Sequence, residues 1–212
     1  MEFLTNGPDD SVATVALAHG AGAGMDTPFM SAVAEGLARH RLRVVRFEFP
    51  YMQKRRANGE RRAPDSPRVL EATWKEVIAV LGHERLVIGG KSMGGRVASM
   101  VADDARVRGL VCLGYPFHPP GKPGKMRIAH LQRLRTPALI LQGTRDPFGT
   151  PEDVETYPLS RKIHVHWIED GDHSFKPPAR SGRTVDQSFE ESICLRQAMS
   201  RSRCRAVDGL DG

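Results

Sequence analysis

The chain has 212 residues, 40% of them hydrophobic and 26% charged, with a formal net charge of +6. That balance excludes a disordered chain and fits one soluble domain large enough to bury a core. No apolar run approaches the about 18 residues that span a bilayer, and Cys112, Cys194 and Cys204 show neither metal-site spacing nor the even count of a disulfide framework.

The first residues, MEFLTNGPDDS, have no basic start and no long apolar run, so no signal peptide is expected and the setting reads as cytoplasmic and reducing. SVATVALAHG, Ser11 to Gly20, is apolar and rich in β-formers, and reads as the first buried strand. In DTPFMSAVAEGLARHR, Thr27 is placed as an N-cap with Pro28 at the first helical position. Phe29, Met30, Val33, Ala34, Leu37 and Ala38 fall at helical spacing behind them. LRVVRFEFPY is a second strand, followed by a loop. SPRVLEATWKEVIAVLG is a helix capped at Ser66 and Pro67, with a stripe through Val69, Leu70, Thr73, Trp74, Val77, Ile78 and Leu81.

The alternation goes on. ERLVIGG is a strand and SMGGRVASMVADD a helix. VRGLVCLGYP and TPALILQGT are strands, and a short helix starts at Thr150 and Pro151. KIHVHWIED is the last strand and TVDQSFEESICLRQAMSR the last helix. Strands alternating with helices predict an α/β, three-layer chain: a mostly parallel sheet of about six strands with helices on both faces. Residues 1–201 form one domain, and 202–212 read as a polar tail. In such sheets ligands bind beyond the carboxyl ends of the strands, so the loops there carry the chemistry.

One of those loops is VIGGKSMGG. Gly90, Lys91, Ser92, Met93 and Gly94 match G-x-S-x-G between a strand and a helix. A serine at the tip of so sharp a turn needs small neighbours, and Gly90 and Gly94 supply them. The following helix aims its N-terminal amides at the serine, and the Met93 amide is placed to face an oxyanion. A phosphate loop is excluded by spacing, because Arg85 stands where G-x-x-x-x-G-K-[ST] requires glycine. Lys91 is read as a solvated or packing side chain.

A serine hydroxyl needs a base, and the base needs an orienting acid. Asp146 follows the strand ALILQG, and His173 follows the last strand, in the chain order Ser, Asp, His. Asp153 and Glu152 are better explained as charges at a helix start. Asp172 reads as a turn residue. His164 and His166 lie inside a strand, His40 and His83 close helices, and His130 lies in a predicted helix. His118 follows a strand but precedes Asp146. The loop after the first strand, HGAGAGMD, offers the amides of Ala21 and Gly22 for the oxyanion, with His19 holding the loop. A dinucleotide fingerprint fails there, since Met25 occupies the third glycine position. No cofactor and no metal are expected.

LAHGAGAGMDTPFM, GGKSMGGRVAS, GYPFHPPGKP, LQGTRDPFGT and GDHSFKP together resemble the predicted α/β-hydrolases grouped with testis-expressed and NSL chromatin-complex homologues. The likeness runs from about Ala13 through Phe175 into the last helix. The family is similar in fold to dienelactone hydrolases, which carry cysteine where this chain has Ser92. The resemblance implies a compact hydrolase with a Ser92, Asp146, His173 triad and names no substrate. Some relatives look like scaffold subunits.

With only ten residues before the first predicted strand, the opening strands of larger α/β-hydrolases are expected to be missing. No insertion follows GLVCLGYP, so no large lid is expected, and Tyr115, Phe117, His118 and His19 should line a shallow pocket. The basic loop QKRRANGERRAP, holding Lys54, Arg55, Arg56, Arg61 and Arg62, either attracts an anionic substrate or partner or is a solvated segment. No aromatic residues interleave its arginines, so nucleic acid is not an expected partner. The expected function is cleavage of a carboxylic ester or thioester in a small acyl substrate, away from any membrane. The alternative is a non-catalytic interaction or scaffold protein of the same fold. The sequence leaves the oligomeric state open.

Overall fold

A computed structural model of the chain describes residues 1–179. The last predicted helix, the 202–212 tail, Cys194 and Cys204 lie outside the described residues. The elements are β1 (Phe3–Asn6), β2 (Thr14–Ala18), α1 (Pro28–Arg39), β3 (Arg43–Phe47), α2 (Pro50–Asn58), α3 (Pro67–Leu81), β4 (Leu86–Lys91), α4 (Met93–Val101), β5 (Gly109–Leu113), β6 (Ala138–Gly143), α5 (Pro151–Val154) and β7 (Ile163–Ile168). A single 3-10 turn spans Leu131–Arg133, and His130, expected inside a helix, sits just before it.

The seven strands form one sheet in the order β1-β3-β2-β4-β5-β6-β7. All neighbours are parallel except β1 and β3, which pair antiparallel with Phe3 opposite Phe47. The six expected strands of the mostly parallel sheet are present, and the expectation of no strand before residue 11 is corrected by β1, which makes a seventh. FLTN is too short and too mixed in character to signal a strand by itself. It is held by tertiary pairing along β3.

Alternation along the strands sorts the core into two layers. Val15 and Leu17 of β2 face α1, where they meet Met30, Val33 and Ala34. Ala16 and Ala18 face the other way, towards Trp74 and Val77 of α3 and Val97 and Ala98 of α4. Trp74 is fully buried and meets Phe47 edge to face, with ring centroids 4.7 Å apart. The start of α1 is capped as expected, the Thr27 hydroxyl accepting from the Met30 amide at 3.4 Å. Ser66 occupies the N-cap position of α3 without a side-chain cap bond.

The basic segment is also corrected. Its first half is helix α2, entered at Pro50 and closed by Gly59 in the left-handed region (φ 72°). Only Tyr51 and Met52 are buried in it, so no apolar stripe announces a helix. The strand order reverses direction between β2 and β4. The connections leaving their paired carboxyl ends part in opposite directions there, which marks the crevice where ligands bind in open α/β sheets.

Candidate active site

The crevice is built around a strained turn. Ser92 joins β4 to α4 with φ 50° and ψ −113°, a conformation that costs a non-glycine residue about 1–3 kcal/mol. Its amide donates to the Leu113 carbonyl at 3.0 Å, which fixes the turn against β5. Gly90 has φ 149°, and a Cβ there would lie 2.1 Å from the Ala18 carbonyl oxygen. A Cβ on Gly94 would lie 2.5 Å from the same oxygen. Both glycines are therefore imposed by the close approach of β2 to the turn.

His173, in the loop after β7, reaches this serine across the sheet edge. Its Nε2 is 2.9 Å from Ser92 Oγ and its Nδ1 is 2.7 Å from Asp146 Oδ2. With the carboxylate on Nδ1, that nitrogen carries the proton, and Nε2 is left to accept from the serine hydroxyl. Asp146 is fully buried. Its Oδ1 accepts from the Phe148 amide at 2.9 Å, and its Oδ2 also accepts from Gln142 Nε2 at 2.9 Å. The Phe148 ring lies over the His173 imidazole, centroids 4.3 Å apart.

Gln142 was not singled out by sequence reasoning. It is fully buried, and its Oε1 accepts from the Tyr115 amide at 2.7 Å, so it ties the Asp146 loop to the end of β5. The signal was present: Gln142 is the one polar side chain in the strand ALILQG. Lys91, read from the sequence as a solvated or packing side chain, packs inward. Its ammonium donates to the His173 carbonyl oxygen and sits between the rings of Phe29 and Phe175, 5.4 and 6.0 Å from their centroids. Burial pulls its pKa down to about 8, against the opposing pull of Asp146 and Asp172. Asp172 itself is a turn residue, accepting from the amides of Ser174 and Lys176.

The loop after β2 touches the serine: a Cβ on Gly20 would lie 3.8 Å from Ser92 Cβ. Its carbonyls are held from the α2 side. Tyr51 Oη donates to Ala21 O at 3.0 Å and Gly20 O at 3.3 Å, and Arg55 donates to Gly22 O at 3.1 Å. In a trans peptide the N–H of the next residue points opposite to the carbonyl, so the amides of Ala21 and Gly22 are directed away from Tyr51. Neither amide makes a hydrogen bond among the described residues. Glu48 pins the far end of the loop by accepting from the Met25 amide, and Arg56 joins Glu48 to Asp26.

His19 is fully buried; its Nδ1–H donates to Gly20 O at 2.7 Å and its Nε2 accepts from the Phe49 amide at 3.1 Å. Burial lowers its pKa. It is a loop brace, and no part of it faces an open pocket. Tyr115 and Phe117 are likewise fully buried, in the core behind the site, their rings 4.8 Å apart. Their apolar rings continue the β5 packing inward, where an open pocket wall had been expected. His118 is buried too; it donates to Pro119 O and faces Asp153, the residue that closes the capping box of α5. A cavity of about 330 Å³ lined by Asp103, Arg106, Val107, Arg135, Thr136 and Pro137 lies at the amino ends of β5 and β6, the edge opposite Ser92. Among the described residues no group of three or more His, Cys, Asp or Glu side chains is placed to hold a metal ion, and no helix is long and apolar enough to cross a membrane.

A sheet of this order with a strained serine turn after its central strand defines the α/β-hydrolase fold, and no lid is evident among the described residues. The chain belongs to the alpha/beta hydrolase domain family, whose model matches residues 11–200. Solved structures share the fold. An alpha-beta serine hydrolase homologue from Coxiella burnetii has 20% identity over 91% of this chain and 88% of its own, with a TM-score of 0.66. Dienelactone hydrolase from Anabaena variabilis has 19% identity over 90% of this chain and 88% of its own, with a TM-score of 0.69. An α/β serine hydrolase without lid from Xanthomonas campestris has 19% identity over 92% of this chain and 88% of its own, with a TM-score of 0.59.

Proposed function

We propose that this protein is a serine hydrolase that cleaves a carboxylic ester or thioester through an acyl-enzyme. The observation that carries the reading is the continuous chain Ser92 Oγ, His173 Nε2, His173 Nδ1, Asp146 Oδ2, with steps of 2.9 and 2.7 Å between residues. Ser92 Oγ attacks the acyl carbon as its proton passes to His173 Nε2, and Asp146 stabilises the imidazolium in place. The amides of Met93 and of Ala21 or Gly22 donate to the developing oxyanion, a contribution worth about a hundredfold or more in rate per donor. His173 then hands its proton to the departing alcohol or thiol. Water repeats the attack on the acyl-enzyme, releasing the acid and restoring Ser92. The scheme uses no cofactor and no metal.

The absence of a lid among the described residues supports a small or extended acyl substrate, as does the likeness to a lid-less serine hydrolase. The finer grouping with testis-expressed and NSL homologues rests on the five motifs in order, and the cytoplasmic setting on the cysteine pattern. The test is hydrolysis of short-chain p-nitrophenyl esters and thioesters by the wild type, Ser92→Ala and His173→Ala. Turnover by the wild type that falls about a thousandfold or more in both variants is expected. No turnover by the wild type across both series would leave the interaction-protein alternative in its place.

A further inference from the structure

Two arginines flank the serine turn with no use in the scheme above. Arg96 lies in the first turn of α4, and its amide donates to the Ser92 carbonyl at 3.0 Å. Residues four apart share a helix face, so Arg96 stands on the α4 face that continues from the nucleophile, about 6 Å further along. Arg127 comes from the loop after β5. Its amide donates to Phe117 O at 2.7 Å, and the neighbouring His118 amide donates to Phe148 O at 3.2 Å. Phe148 in turn covers the ring of His173. Both cations thus arise on segments that backbone hydrogen bonds tie to the catalytic edge.

A hydrogen-bonded frame fixes them. Ser99 Oγ donates to Arg96 O at 2.6 Å and lies 2.8 Å from His130 Nε2. Tyr115 Oη donates to Arg127 O at 3.2 Å and lies 3.3 Å from the same nitrogen. With both hydroxyl protons committed to carbonyls, His130 Nε2 carries a proton shared between Ser99 and Tyr115. Burial, and then Arg96, drops the His130 pKa to about 4, so the imidazole is neutral near pH 7 and offers no charge to either arginine. The frame fixes the backbone carbonyls of the two arginines and leaves the guanidiniums themselves unanswered.

Neither guanidinium has a carboxylate partner among the described residues. Arg96 Nε is buried with no hydrogen-bond partner among the described residues. Burial, and then the repulsion of Arg96, lowers Arg127 from its ordinary value. Like charges held near each other, one with an orphan buried donor, destabilise the free protein, and an anion between them removes both penalties. Guanidiniums present paired donors that match a carboxylate or phosphate. Lys122 and Lys125, exposed on the Arg127 loop, add to the field that would draw such a group in.

We propose that Arg96 and Arg127 form a subsite for an oxyanion, a carboxylate or a phosphate, carried by the substrate beside its scissile ester. The proposal rests on the serine-hydrolase reading for its place in catalysis, and its binding half stands apart from turnover. The preferred substrates are then acidic esters.

The experiment has two arms. The first compares p-nitrophenyl hemiglutarate with its methyl ester, which differ in one negative charge. The wild type is expected to favour the acid by roughly tenfold or more in kcat/KM, and Arg96→Gln and Arg127→Gln each to lose most of that ratio. Arg127→Lys, which keeps the charge, is expected to keep part of it. The second arm measures binding of glutarate and of inorganic phosphate to Ser92→Ala by calorimetry, with and without Arg127→Gln. Glutarate alone binding assigns the group as a carboxylate, and phosphate alone binding assigns it as a phosphate. Loss of binding in the double variant supports the subsite. If the wild type hydrolyses neither ester, the hydrolase reading fails and the calorimetric arm alone decides the subsite. An unchanged ester ratio in both single variants overturns the proposal, and so does binding of neither anion.

Discussion

Lys91 and His173 are joined across the catalytic edge: the lysine ammonium, one residue before the nucleophile, donates to the carbonyl oxygen of the histidine that serves it. The contact ties the loop after β7 to the end of β4. It also fills the space over Gly114, where a Cβ would lie 2.8 Å from both the Lys91 nitrogen and the His173 oxygen. The nucleophile and its base are thus held by one side chain that takes no part in the proton transfer.

The cost of burying that ammonium makes stability depend on pH. Its folded pKa of about 8 lies below the ordinary 10.5, so between these values the unfolded chain binds more protons than the native one. The burial cost is therefore full below about pH 8 and is relieved as pH rises towards 10.5, by at most roughly 3 kcal/mol. Wild type should gain stability relative to Lys91→Met over this interval. Urea melts at pH 7, 8, 9 and 10 check it; a constant difference between the two proteins would contradict it.

Gln142 should matter to both stability and rate. Gln142→Leu leaves the Tyr115 amide and one lone pair of the buried Asp146 without a partner. A loss of about 1–3 kcal/mol in denaturation midpoint analysis is expected. If the substrate is an ester, kcat should fall more than KM rises, because the acid that orients His173 is loosened.

Asp146→Asn keeps the shape of the site and removes the charge that selects the His173 tautomer. A fall of about ten-thousandfold in kcat is expected, with the fold intact by circular dichroism. A fall of less than tenfold would mean that Asp146 does not orient the base.

Gly94→Ala tests the close packing of β2 on the turn. The added methyl would stand 2.5 Å from Ala18 O and 2.6 Å from His19 O, both backbone atoms that cannot swing aside. Destabilisation by about 1–3 kcal/mol or more is expected in chemical denaturation, together with loss of any esterase activity. Gly22→Ala is the control in the same crevice, since a Cβ there meets nothing within 4 Å.

What the sequence made legible was the part with a strong local signature. G-x-S-x-G between a strand and a helix, and the order of Asp146 and His173 behind later strands, led to three side chains that the fold does bring together. The elements that were missed have weak local signals and depend on tertiary partners. FLTN becomes β1 through its pairing with β3. PYMQKRRAN becomes α2 with two buried residues, Tyr51 and Met52, and arginines that answer the loop carbonyl of Gly22 and the carboxylate of Glu48. Tyr115, Phe117 and His118 follow a strand and so seemed to belong to a pocket, but the chain turns them inward, where the core and Asp153 receive them. Position along the chain could place a residue at the catalytic edge; it could not say which way the side chain turned.

The central claim is that Ser92 is an activated nucleophile. Its most direct test is reaction with a fluorophosphonate followed by mass spectrometry of the digested protein. The expected result is a single adduct on the peptide carrying Ser92, absent from Ser92→Ala and strongly slowed in His173→Ala. An unlabelled wild-type protein, or an adduct that persists in Ser92→Ala, would contradict it.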